Sequence, residues 1–387
     1  MSYLDTNYKP CLLPWSHLYY FTDGYVYPCP SLAGNTNYRL GKTTDSIPDL
    51  WNSFNIRKIR IEMKDGKPPL DCSKKCDLCL NSCKTYFGYD MLDEIKPSID
   101  STDVNGYCEP NFIAWNILET NKCNLKCVYC NSQYSNQHSE DKAVASPFNN
   151  NLYTVYNTNS NVKEIWFASG EPVIQDSTYT ILEQLIIQNK LDVRIRFITN
   201  LMITSYKGKQ VYDLLEKFKD VIVFGSWDID GKSGDTIREH SKSGTIKQNI
   251  RYIQTKNIKF YLQSVMSIYN LADYPDFHIR MFEEGILKKD NIRYYNLSYP
   301  EHYRYSILPE AQKQAIGLKL YDYKLWLTDA VDTFPNAEHP TITIDKIIEC
   351  MMTGKWGHWG FSTDNNITHY HTFLKQQNKN LKRVHKT

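Results

Sequence analysis

The chain has 387 residues, 41% of them hydrophobic, which is too long for one small domain and comfortable for one large barrel plus an accessory module. Its 45 basic and 43 acidic residues leave a formal net charge of +2, so bulk charge makes no case for nucleic acid or a membrane surface. Met1–Tyr20 lacks the basic start and apolar run of a secretory signal, and no stretch approaches the roughly 20 apolar residues of a membrane span; a cytoplasmic protein is expected.

Residues 1–105 are expected to form a cysteine-rich accessory domain. Pro10, Pro14, Asp23-Gly24, Pro28, Pro30, Gly34-Asn35, Asp65-Gly66 and Pro68-Pro69 punctuate it. Such a segment buries little core of its own, and a metal cluster would supply the missing cross-links. Ten of the eleven cysteines fall within the first 130 residues, and in a reducing compartment clustered cysteines more often bind metal than pair. Here stand Cys11, Cys29 and the run Cys72-x3-Cys76-x2-Cys79-x3-Cys83. Four thiolates close an iron–sulfur cluster, and Cys76-x2-Cys79 would equally suit a structural zinc site. Cys108 and Cys350 read as buried thiols.

Residues 106–305 change texture. Strands are expected at 114–119, 164–168, 193–199, 221–227, 260–266 and 292–297, with helices at 179–189, 210–218, 246–255 and 274–284. Alternation of this kind implies a parallel α/β architecture, and six strands suit a partial barrel better than a full eight-stranded one. Residues 306–387 read as a helical extension, with a helix over 309–330, a histidine group (His358, His369, His371) and a basic tail.

The chemistry concentrates where the strands end. Cys123-x3-Cys127-x2-Cys130 follows the first barrel strand, at the end where barrel enzymes keep their reactive groups. Three cysteines leave one iron of a four-iron cluster open to another ligand, which marks a reactive site. The second strand ends in Ala168-Ser169-Gly170-Glu171-Pro172, where a carboxylate can accept hydrogen bonds from an ammonium group. The third ends in Thr199-Asn200. The fourth runs into Ser226, with Asp228 and Asp230 in two overlapping registers, and Arg238, Asn249 and Asn270 follow. The rival readings are a zinc knuckle, an ordinary strand-to-helix turn, a capped loop and a surface arginine.

Taken together, these motifs resemble those of the radical S-adenosylmethionine (SAM) superfamily, from Cys11 to the helix after Pro309. The resemblance implies a partial (β/α)6 radical SAM barrel behind an N-terminal twitch or SPASM-like auxiliary-cluster domain. It implies a [4Fe-4S] cluster on Cys123, Cys127 and Cys130, with SAM on the open iron. By the same resemblance Tyr129 lies near the adenine, Ser169, Gly170, Glu171 and Pro172 serve the SAM ammonium, Ser226 the ribose, Arg238 the carboxylate, and Asn270 makes a further contact. The auxiliary cluster would take Cys11, Cys29, Cys76 and Cys79, with Cys72 or Cys83 as substitutes. The implied activity is reductive SAM cleavage and hydrogen-atom abstraction, with a ferredoxin or flavodoxin as reductant and a peptide or protein as substrate. Small-molecule or carbohydrate modification is the alternative within enzymes, and an iron–sulfur or zinc carrier without SAM turnover the alternative outside them.

Overall fold

The computed structural model describes residues 11–67, 92–111, 113–118, 120–140, 162–297, 299–330 and 340–353. Cys72, Cys76, Cys79, Cys83, the histidine group and the basic tail lie outside these residues. The chain divides into two compact units: Met1–Ser226 with Arg238–Tyr261, and Trp227–Ile237 with Leu262–Thr387.

The first unit is built on a mostly parallel sheet. Its strands are β1 (His17–Tyr20), β2 (Tyr25–Tyr27), β3 (Gly41–Lys42), β4 (Ala114–Ile117), β6 (Glu164–Phe167), β7 (Arg194–Thr199) and β10 (Val221–Ser226), and they lie in the order β10-β7-β6-β4-β1-β2-β3. Between them in sequence fall three short pieces that pair elsewhere: β5 (Lys126–Cys127), and the hairpin β8 (Ser205–Tyr206) and β9 (Lys209–Gln210). β11 (Arg238–Glu239) follows β10 and pairs with β5. β10, β7, β6, β4 and β1 run parallel, while β2 and β3 are antiparallel additions. Strands covered on both faces read as continuous apolar runs rather than as alternation. Trp115 on β4, Ile165 on β6 and Ile195 and Phe197 on β7 are accordingly fully buried.

The segment before residue 105 departs from expectation in one respect: it contributes a substantial core. β1 pairs in parallel with β4, His17 opposite Ala114 and Tyr20 opposite Ile117. The Asp23-Gly24 turn sends the chain back into β2: Gly24 has φ +82°, and the Asp23 carboxylate accepts the Tyr25 N–H at 3.0 Å. The helix Phe54–Lys64 then turns Ile56, Ile59 and Met63 inward at helical spacing. Trp15 and Trp51 are fully enclosed. Arg60 is enclosed too; its guanidinium donates to the Pro14 carbonyl at 2.9 Å and to Asn52 Oδ1 at 3.1 Å, and sits 4.8 Å from the Trp51 ring centre. The pattern was hidden because a short aromatic strand buried on both sides carries no period.

β12 (Lys259–Met266) begins in the first unit and runs into the second, where its residues Leu262–Met266 pair in parallel with β13 (Ile292–Asn296). All six strands expected between residues 106 and 305 form, each within one or two residues of the expected ends. The helices form at Asp176–Ile187, Val211–Leu215, Ser243–Gln254, Tyr274–Glu283 and Glu310–Trp326. Within the second unit the Glu310–Trp326 helix packs on Pro340–Thr353. Its interior holds a polar chain: Tyr294 and Tyr323 share a hydrogen bond of 2.7 Å, and Tyr323 meets His278 Nδ1 at 2.5 Å. Burial holds the His278 imidazole down at about 4, so it is neutral and accepts from Tyr323.

Candidate functional site

Within the first unit, the loop leaving β4 carries the cysteine triplet, and the residues after the triplet hold it in shape. Cys123 N–H donates to Asn136 Oδ1 at 3.0 Å, and Gln137 Nε2 donates to the Cys123 carbonyl at 3.0 Å. Ser135 Oγ donates to the Leu125 carbonyl at 2.7 Å, and His138 Nε2 lies 3.1 Å from the Cys127 carbonyl, which makes Nε2 the protonated nitrogen. Asn136 N–H closes the arrangement on the Asn121 carbonyl at 2.8 Å. Four consecutive side chains, Ser135 to His138, thus strap the backbone of the cysteine loop. Sequence reasoning missed them; their signal is a polar Asn, Gln and Ser-rich run directly after the last cysteine.

The sulfurs meet donors. Leu125 N–H points to Cys123 Sγ at 3.5 Å, Asn200 Nδ2 to the same sulfur at 3.9 Å, and Arg238 Nη1 to Cys127 Sγ at 3.9 Å. Burial pushes the Cys123 and Cys130 thiols up to about 11, and the nearby Arg238 charge partly opposes this at Cys130. Ionising such thiols calls for a strong local positive charge, which a bound metal supplies. Among the described residues, no three His, Cys, Asp or Glu side chains converge as ligands of a single ion. The thiolates of a four-iron cluster bind separate irons and need not converge. An all-sulfur donor set with N–H groups directed at it fits an iron–sulfur cluster.

The turn after β6 is locked onto this loop. Gly170 has φ +49°, and a β-carbon there would stand 2.3 Å from the Lys122 carbonyl oxygen. Glu171 N–H donates to that same carbonyl at 2.9 Å. The Ser169 hydroxyl donates to the Thr120 carbonyl, and Pro172 opens a buried turn of helix. The Glu171 carboxylate is fully buried and takes three protein donors. Oε1 receives Thr199 Oγ1 at 2.9 Å and Val173 N–H at 3.2 Å, and Oε2 receives Asn200 N–H at 2.7 Å. A carboxylate oxygen accepts about two hydrogen bonds, so Oε2 retains capacity for one further donor. Burial outweighs these bonds and raises Glu171 to about 7.

Arg238 reaches the triplet through backbone pairing. β11 lies antiparallel to β5 with Arg238 opposite Cys127. The guanidinium is almost fully buried and stands 5.6 Å from the centre of the Tyr129 ring. The place of the Arg238 charge beside Cys127 is therefore set by a register, one residue against one cysteine.

The other expected site residues stand as follows. Ser226 is half-buried at the end of β10, in the first unit. In the second unit Asp228 Oδ1 accepts Val265 N–H at 2.8 Å, and Asp230 pairs with Arg280. Asn270, also there, is buried and spends its amide on protein: Nδ2 donates to the Asp228 and Val265 carbonyls at 3.2 and 2.9 Å, and Oδ1 accepts Ser267 N–H at 2.8 Å. Cys11 and Cys29 are buried thiols in the first unit, Cys108 likewise, and Cys350 is buried in the second. The remaining auxiliary candidates lie outside the described residues.

Comparison with known proteins matches residues 117–276 to the radical SAM superfamily and residues 11–79 to the SPASM iron–sulfur cluster-binding domain. A curated relative, "Probable GTP 3',8-cyclase" of Methanocaldococcus jannaschii, is 26% identical over 230 residues, covering 55% of this chain and 72% of its own. Among solved structures, anSMEcpe with bound AdoMet and the Cp18Cys peptide aligns at TM-score 0.42 and 14% identity, over 56% of this chain and 59% of its own. Streptococcus suis SuiB bound to S-adenosylmethionine aligns at 0.38 and 16%, over 61% and 49%. The chain thus spans about half to three-fifths of the length of these two structures.

Proposed function

This chain is an enzyme that carries a radical SAM domain behind an iron–sulfur cluster-binding SPASM domain, and from that premise we propose that Cys123, Cys127 and Cys130 hold its SAM-cleaving [4Fe-4S] cluster. When bound, the cluster and SAM supply reductive cleavage to methionine and a 5'-deoxyadenosyl radical, which takes a hydrogen atom from the substrate. The chain's own residues bind and orient. The strap Ser135–His138 fixes the backbone on which the three thiolates ride. Glu171 Oε2, with its remaining lone pair, accepts the SAM ammonium. Arg238, fixed beside Cys127, pairs with the SAM carboxylate, a match of planar fork to carboxylate. Tyr129 gives the adenine an aromatic face, and Ser226 a hydroxyl for the ribose. Cys11 and Cys29 join two of the cysteines between residues 72 and 83 on the auxiliary cluster.

The observation that carries this reading is the β5–β11 register, which sets a buried arginine against the central cysteine of the triplet. A metal carrier without SAM turnover needs no site for a SAM carboxylate, which this cation would supply. The substrate is a peptide or protein, as the auxiliary domain suggests. A small molecule is the second reading, favoured by the relative named for a GTP cyclase. The electron donor is a ferredoxin or flavodoxin. Anaerobic reconstitution with iron and sulfide, then dithionite and SAM, should yield 5'-deoxyadenosine. No product from protein with an intact cluster spectrum would overturn the proposal.

A further inference from the structure

Asn200 touches both halves of the site. Its backbone N–H donates to Glu171 Oε2 at 2.7 Å, and its side-chain amide approaches Cys123 Sγ at 3.9 Å while donating to Asn124 Oδ1 at 2.7 Å. The amide has one allowed orientation. Met202 N–H lies 3.0 Å from Oδ1 and requires an oxygen there, so the NH2 group must face Cys123. The residue is almost fully buried, which strengthens its dipole. Thr199, one residue earlier, donates to the other oxygen of Glu171 and accepts Leu201 N–H at 3.1 Å, so the backbone at the end of β7 is held on the glutamate, while Asn124 Oδ1 and Met202 N–H hold the amide.

Resting on the assignment of the triplet to the SAM-cleaving cluster, we propose that Asn200 sets that cluster's reduction potential by donating to the Cys123 sulfur, while its backbone orients Glu171. A donor to a ligating sulfur stabilises the added negative charge of the reduced cluster and so raises its potential. Asn200→Asp replaces the donor with a repelling oxygen and leaves the backbone N–H on Glu171 in place. Asn200→Ala removes the donor without adding charge.

The test is an EPR-monitored redox titration of the reconstituted full-length protein, read beside iron content, thermal melting and SAM affinity. In Asn200→Ala the reduction equilibrium of the triplet cluster should weaken by about tenfold, about 59 mV for a one-electron couple. Asn200→Asp should shift further in the same direction, and SAM affinity should stay near wild type in both. A fully loaded, folded Asn200→Ala protein with the wild-type potential would overturn the inference and leave the parent assignment standing. Should Asn200→Asp fail to fold, Asn200→Ala alone decides. A wild-type protein that loads no cluster on the triplet would overturn both.

Discussion

Gly170 is the residue on which the site's geometry turns. Its left-handed backbone and the 2.3 Å approach of a would-be β-carbon to the Lys122 carbonyl leave no room for a side chain. Gly170→Ala is expected to push the glutamate turn off the cysteine loop. Iron bound per chain after reconstitution should fall by up to about the four irons of the triplet cluster, with a lower melting temperature; full iron loading would contradict this. Glu164 on β6 offers a test by pH. It is fully buried, with Trp166 Nε1 donating to one carboxylate oxygen and Arg196 Nη2 3.5 Å from the other, yet burial dominates and raises it to about 7. The folded state therefore binds this proton more tightly than the unfolded chain. The stability it contributes is present below the ordinary carboxylate range and is lost as pH rises through about 7. The urea midpoint should drop between about pH 5 and pH 8, and Glu164→Gln should shrink the drop. Glu171, raised for the same reason, keeps it from vanishing. An unchanged pH profile in Glu164→Gln would count against this account.

At the scale of elements, local spacing was legible and long-range pairing was not. Cys123, Cys127 and Cys130 and the turn at Gly170 and Glu171 announce themselves because their partners lie within a few residues. Arg238 stood out as a motif, but its place beside Cys127 depends on a two-residue pairing over more than a hundred positions of chain. The strap from Ser135 to His138 and the amide of Asn200 act through side-chain contacts whose partners follow from the path of the loop, and no period or spacing encodes that path. β1 was missed for a related reason: its four residues are all buried and its partner, β4, comes after the whole cysteine-rich segment. The barrel strands were legible because each is a run of β-branched and aromatic residues bounded by turn residues. Strap and cluster can be separated experimentally. Asn136→Ala removes the acceptor of Cys123 N–H, leaving a part-buried donor unmet at a cost of about 1 kcal/mol. Cluster loss in air should accelerate in this variant, and wild-type persistence of the visible absorbance would argue that the strap is dispensable.

For the whole molecule, Cys11, Cys29 and strands β1 to β4, β6, β7 and β10 belong to one compact unit, which also contains the triplet, Glu171, Asn200 and Arg238. The second unit carries its own aromatic interior around Tyr294, Tyr323 and His278. Among the described residues no helix is long and apolar enough to cross a membrane. Because the chain before residue 67 supplies three strands of the sheet, part of its role is structural. The proposal that distinguishes the two sets of cysteines is tested most directly by 5'-deoxyadenosine formation in paired variants, reconstituted and reduced alike. The account expects Cys127→Ala to abolish the product and Cys76→Ala to retain it. Product from Cys127→Ala at the wild-type level would contradict the assignment of the SAM-cleaving cluster to Cys123, Cys127 and Cys130.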